Sequence, residues 1–517
     1  MNNYKIFIIF IDLNINLCII ESTKRGGYMP SNLFNDETKK DFNFFIALIP
    51  LVVMVVSMLY AIVVLETDPH LPLIIGTITA MIVALLSGFK FDDLEEMMYK
   101  GIRLALPAVV IIMLVGLIIG SWIGGGVVAS MIYYGLMIIS PQYFLVTICI
   151  ICGVVSLAIG SSWSTMATIG VAGMGIGVSM GINPAMIAGA VISGSYFGDK
   201  MSPLSDTTNL ASGLTNTDLF VHIKHMFYTT IPGLIIALIA FFFIGINVIG
   251  SSAASSEDIQ VMMTAMDENF VISPWLLLVP ALVILCIILK VKAVPALVIG
   301  VLLGIICAIF IQGETLAASA SFLMNGFVME TNNDMVNNLF TRGGLMEMMY
   351  TISMTIVAMT FAGVLEYTGM LRSIMNQILK IAKGTLGIIS ATIVSCFATN
   401  ATCSEQYISI VVPSRMFLKT YIENNLHSKN LSRSLEDGGT LTSVFIPWNT
   451  CGVFIYGTLG VSALEYAPYA ILNFTVPIIA IILAATGIGI SKLTAEEREA
   501  YLQEYYPEEA EQKTATA

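Results

Sequence analysis

Between Gly194 and Leu210 the chain gathers Asp199, Lys200, Ser202, Ser205, Asp206, Thr207, Thr208 and Asn209 directly after the apolar run 184–191. A small hard cation is held by oxygen ligands such as carboxylates, hydroxyls and backbone carbonyls. Gly194, Gly198 and Pro203 are expected to interrupt the helix and free carbonyls for that purpose. At membrane depth each charge costs about 2.5–3.5 kcal/mol on insertion scales, so ionisable residues there are functional candidates by default. The expectation is a cation site whose leading carboxylates are Asp199 and Asp206. Burial disfavours a bare carboxylate, and either a proton or a metal ion relieves it. A group that accepts one or the other but not both is all that exchange requires. The structural alternatives are an Asp199–Lys200 ion pair, and Asp206 as a helix cap through Thr208 or Asn209.

A second constellation lies in the other half. Ser434-Leu435-Glu436-Asp437-Gly438-Gly439-Thr440 leads into Pro447-Trp448-Asn449-Thr450. Glu436 and Asp437 are candidate partners of the first pair, or carboxylates at a cytoplasmic helix start near Arg433. Two polar tips precede these stretches, Gly160 to Thr165 and Thr399 to Glu405. Ser161, Ser162, Thr165, Asn400 and Thr402, with Asn449 and Thr450, would supply neutral oxygens or bind a substrate carboxylate; small-residue helix packing is the competing explanation. Glu405 follows the second tip and joins the cation and proton candidates. Asp199 lies 38 residues after Ser161, and Glu436 and Asp437 lie 36 and 37 after Asn400, which suggests a repeated unit. His222 and His225 read as residues of a solvated loop, with a pH sensor as the alternative. Cys149 and Cys152 read as helix packing residues, and no phosphate-binding loop or nucleophile–base motif occurs.

The elements that carry these residues follow from composition. Of 517 residues 56% are hydrophobic and 11% charged, with mean hydropathy +0.86, against about 25% charged in soluble domains. Apolar runs of about twenty residues recur, each sufficient to cross a bilayer core of ~30 Å. The fold class is therefore an all-α polytopic membrane protein. Spans are expected at 42–65, 71–88, 101–123, 228–249, 274–289, 293–311, 346–367 and 468–490. A short apolar piece covers 127–140, two-armed units cover 142–181 and 385–418, and interrupted spans run from 184 and over 435–460. Basic residues fall on one side if the N-terminus is cytoplasmic, with Arg342 the exception. Five full crossings per half is odd, so the halves enter with opposite polarity: an inverted repeat of about ten spans plus two re-entrant hairpins with broken helices, typical of secondary transporters. The halves are 42–250 and 271–491, joined by an acidic extracytoplasmic linker, 251–270, and followed by an acidic cytoplasmic tail, 492–517. Residues 1–28 read as a mis-assigned start or a leader, with Met29 as the true start. The net charge of −12 argues against nucleic acid, and transport is expected to draw on ion gradients unless a partner subunit supplies ATP.

Gly198-Asp199-Lys200-Met201-Ser202-Pro203-Leu204-Ser205-Asp206-Thr207-Thr208-Asn209-Leu210-Ala211 resembles the signature of the NhaC-type sodium/proton antiporter family, and Gly363 to Leu371 is also similar to that family. The similarity covers essentially 42–490. It implies Na⁺/H⁺ antiport by alternating access in a bacterial cytoplasmic membrane, with both termini cytoplasmic, no enzyme activity and no cofactor beyond the transported ions. Na⁺ would sit at Asp199 and Asp206, with Ser202, Ser205, Thr207, Thr208 and Asn209 around it. One branch of the family exchanges malate with protons for lactate with sodium, so coupled exchange of small carboxylates is the alternative. Membrane lipid and a second copy of the chain complete the expected partners.

Overall fold

The structure, a computed structural model, describes residues 42–65, 67–138, 140–249, 256–289, 291–331, 334–494 and 496–499. The proposed leader at 1–28 and most of the acidic tail lie outside them. Among the described residues every regular element is helical, apart from isolated bridges such as Phe327–Arg342. In order these are α1 (Phe44–Val63), α2 (His70–Leu86), α3 (Phe91–Gly124), α4 (Val127–Ile138), α5 (Phe144–Ile159), α6 (Ser162–Thr165), α7 (Val171–Ser179), α8 (Pro184–Met201), α9 (Asp206–Leu214) and α10 (Leu219–Ile249). They continue as α11 (Ser256–Asn269), α12 (Leu278–Ile288), α13 (Ala293–Phe310), α14 (Leu316–Asn325), α15 (Asp334–Phe340), α16 (Leu345–Thr368), α17 (Met370–Ile381), α18 (Gly384–Cys403), α19 (Gln406–Glu423), α20 (Ser428–Leu435), α21 (Thr450–Leu459), α22 (Ala463–Tyr466) and α23 (Ile471–Thr486). Among the described residues six of the helical stretches are long and apolar enough to cross a membrane, and eight if two bent pairs count as one span each.

Both two-armed units are present, split at Gly160–Ser161 and at Ser404–Glu405. Element ends recur at a fixed spacing. The left-handed residues Gly160 and Gly181 have counterparts Ser404 and Asn425, each 244 positions on. The N-caps Ser161, Asn183 and Ser205 recur as Glu405, His427 and Asn449, and the end of α3 at Gly124 recurs as the end of α16 at Thr368, again 244 on. This register pairs Asp199 with Ser443 rather than with Glu436 or Asp437. Matching polar residue with polar residue misses this register, because chain geometry is repeated through caps and left-handed turns.

Two expectations are corrected. Gly194 and Gly198 do not break α8; a Cβ at either would overlap the backbone of α5, at the Cys149 and Gly153 carbonyls, so these glycines let two helices touch. The break falls instead at 202–205. Within the expected linker, 256–269 form helix α11. His222 and His225 do not lie in a solvated loop; α10 begins at Leu219, and both rings are buried.

Candidate functional site

Ser161 caps α6, its hydroxyl accepting from the Ser164 N–H at 3.2 Å, and this turns the first backbone N–H groups of the second arm towards α8. Asp199, 7% exposed near the end of α8, sits on that helix end. Its Oδ2 accepts from the Ser162 N–H at 3.1 Å and from the Ser162 hydroxyl at 2.7 Å. The Ser205 hydroxyl also faces it. No cationic side chain pairs with Asp199 among the described residues; in particular Lys200 does not. A helix N-terminus offers about half a positive charge, so the carboxylate is only partly neutralised.

The break after α8 is held by its own polar residues. The Asn209 amide donates to the Pro203 carbonyl at 2.9 Å and the Ser205 carbonyl at 2.7 Å. The Thr208 hydroxyl donates to the Lys200 carbonyl at 2.9 Å, and the Ser202 hydroxyl accepts from the Leu204 N–H at 3.2 Å. Thr207 lies 3.1 Å from the Ser205 hydroxyl. Asp206 is the first residue of α9, exposed, and the cap of that helix is Ser205 rather than Asp206.

In the second unit Glu405, 6% exposed, is itself the cap of α19, accepting from the Tyr407 N–H. The Thr450 hydroxyl donates to its Oε1 at 3.3 Å. Asn449 donates to Asn400 at 3.2 Å, and Asn400 donates to the Gly439 carbonyl at 2.7 Å and the Thr442 hydroxyl at 3.1 Å. The tip and the broken segment are thereby tied together. Tyr407 faces Asp199, Asp206 and Glu405 at once; as a lone aromatic beside a polar tip it carried no signal in the sequence. Thr165 and Thr402 do not join these clusters, because each hydroxyl bonds back to a carbonyl of its own hairpin, Ser161 and Ala398.

Glu436 and Asp437 lie on a π-helical turn, Glu436–Thr440, with Lys200 and Arg433 beside them, and all four charged side chains are fully buried. Lys200 contacts Asp437 directly across the two halves. Arg433 Nε is 3.9 Å from the other Asp437 oxygen, and the Thr229 hydroxyl donates to Asp437 at 3.1 Å. Asp437 is thus a neutralised structural charge. Neither Glu436 oxygen has a hydrogen-bond partner among the described residues; Lys200, Asp199, Thr440 and Thr207 face it. A buried polar group left in that condition calls for an explanation such as an ion or a proton.

The geometry therefore offers carboxylates of two kinds. Asp437 is paired with Lys200 and flanked by Arg433, while Asp199 and Glu405 rest on helix ends and Glu436 faces Lys200 without a hydrogen-bond partner among the described residues, which leaves room for a mobile positive charge.

Residues 194–488 match the model of the Na⁺/H⁺ antiporter family. The chain is 40% identical over 441 residues to the Na⁺/H⁺ antiporter NhaC of Alkalihalophilus pseudofirmus, covering 85% of this chain and 95% of that protein. It is 35% identical over 448 residues to NhaC of Bacillus subtilis, covering 86% and 99%. It is 36% identical over 423 residues to the malate-2H⁺/Na⁺-lactate antiporter of Bacillus subtilis, covering 82% and 90%.

Proposed function

The chain belongs to the Na⁺/H⁺ antiporter family, and we propose that it exchanges the two ions at the partly neutralised carboxylates Asp199 and Glu405, with Glu436 between the halves. It is a transporter, not an enzyme, and carries out sodium/proton antiport. The observation that carries the site assignment is Asp199: a buried carboxylate seated on a helix N-terminus, held by Ser162 at 2.7 and 3.1 Å, with no fixed cation among the described residues to complete its charge. Na⁺ or H⁺ completes it, and occupation by one excludes the other. Asp206, exposed at the start of α9, and Tyr407 line the approach.

The architecture belonging to this reading is an inverted repeat of about ten spans and two re-entrant hairpins in the bacterial cytoplasmic membrane, with both termini cytoplasmic. The 244-residue recurrence of caps and left-handed turns supports it. So does the packing of α3 on α16, register partners that approach closely at Gly101 and Gly363, where a Cβ on Gly101 would stand 2.9 Å from the Gly363 Cα.

A second reading, coupled exchange of small carboxylates, is supported by the malate/lactate relative. Lys200, the basic residue of the first central motif, does not supply an anion anchor for it, since it is bound by Asp437.

The test is D199N in proteoliposomes with an imposed pH gradient. The variant is expected to insert and unfold thermally like the parent, yet to lose dissipation of the gradient by Na⁺. Exchange retained with unchanged Na⁺ dependence removes Asp199 from the mechanism.

A further inference from the structure

Away from the carboxylates, a cavity of about 630 Å³ opens between α3, α7, the start of α8 and the end of α21. Its volume lies within the range of about 300–1,000 Å³ found for small-molecule sites. The walls are apolar, with Ile123, Met174, Val178, Leu339 and Val461 among them, and Arg342 is the one charged lining residue.

Arg342 is held by its backbone. Its carbonyl accepts from the Phe327 N–H at 3.1 Å, and the following N–H, that of Gly343, donates to Glu347. The guanidinium lies against Gly460, whose φ of +73° ends α21; a Cβ there would stand 2.6 Å from Nη2. The glycine therefore serves two needs, the left-handed turn and the seat for the guanidinium. The end of α21 offers partial negative charge, but no hydrogen bond or ion pair engages the Arg342 side chain among the described residues. This is also the residue that departs from the one-sided distribution of basic charge in the sequence.

We propose that this cavity binds a small amphiphilic carboxylate, of the short-chain monocarboxylate class, with its carboxylate on Arg342 and its hydrocarbon against the apolar wall. A planar guanidinium with free donors matches a carboxylate two bonds at a time. The apolar wall disfavours strongly hydrated inorganic anions, and a single cation disfavours a second carboxylate. The site is separate from Asp199: Pro184 lines the cavity, and the fifteen helical steps along α8 from it to Asp199 span about 22 Å at 1.5 Å per residue. The inference does not rest on the ion-site reading.

The test is thermal stabilisation of the purified full-length protein by sodium butyrate against sodium chloride at equal ionic strength. Saturable stabilisation by butyrate alone is expected, with the half-saturating concentration raised at least tenfold in R342Q and raised less in R342K. G460A, which crowds the guanidinium, is expected to weaken butyrate as well. R342Q should keep Na⁺/H⁺ exchange, which reports that it is folded, and D199N should bind butyrate like the parent. No stabilisation of the parent, equal affinity in R342Q, or loss of butyrate binding in D199N would overturn the proposal. So would displacement of butyrate by phosphatidylglycerol micelles in an Arg342-dependent manner, which would assign the cavity to a lipid headgroup.

Discussion

Lys200 shows how little of a buried charge's role is local. Next to Asp199 in sequence, it contacts Asp437 instead, 237 positions away, with Arg433 on the far oxygen. Removing one partner of a buried pair costs about 3–5 kcal/mol, chiefly through the charge left behind. K200M and D437N are each expected to lower the apparent unfolding temperature of the purified protein, and the double variant to lower it by less than the two together. Strict additivity in that cycle would show that the two side chains do not depend on each other. The sequence identified Asp199, Glu405, Glu436 and Asp437 as unusual because each interrupts an apolar context, and all four are buried at the breaks or tips. It could not say which was neutralised, because the neutralising partner comes from the other half of the chain. Tyr407 and the burial of His222 escaped for the same reason.

At the scale of elements, the spans were legible because hydrocarbon thickness imposes a length, and α1, α2, α13, α16 and α18 begin or end within a few residues of the apolar runs that mark them. Helices set by other rules were not. The N-terminal turns of α3 and α10 are polar enough to read as loop, and α11 has almost no apolar bias. The glycines of α8 were read as breaks although a helix tolerates them, and tight packing on α5 is what requires them. A matched pair of substitutions separates the two roles. At Gly194 a Cβ would overlap the Cys149 carbonyl, whereas at Gly213 in α9 nothing lies within 4 Å. Overpacking costs about 1–3 kcal/mol, and relief of helix-interior glycine gains up to about 1 kcal/mol. G194A should therefore lower the unfolding temperature and G213A hold or raise it; a G194A protein as stable as its parent would mean that α5 and α8 can separate without cost.

For the whole molecule, the 244-residue register makes one demand that neither burial nor hydrogen bonding can meet by itself. Two units of like geometry can be arranged in parallel or inverted, and only inversion brings both broken segments to one depth from opposite faces. The turns that end the two hairpins decide between these. Asn183 caps α8 and Asn424 ends α19, at register-equivalent turns, and both are exposed. The proposed inverted repeat with a cytoplasmic N-terminus has the first turn outside and the second in the cytoplasm. In a variant with the native cysteines replaced, Asn183→Cys should react with an impermeant maleimide added to intact cells, and Asn424→Cys only after the membrane is opened. Labelling of both from the same side would make the repeat parallel. Asp199 and Glu405 would then be approached from one face alone, and alternating access between them would have no structural basis.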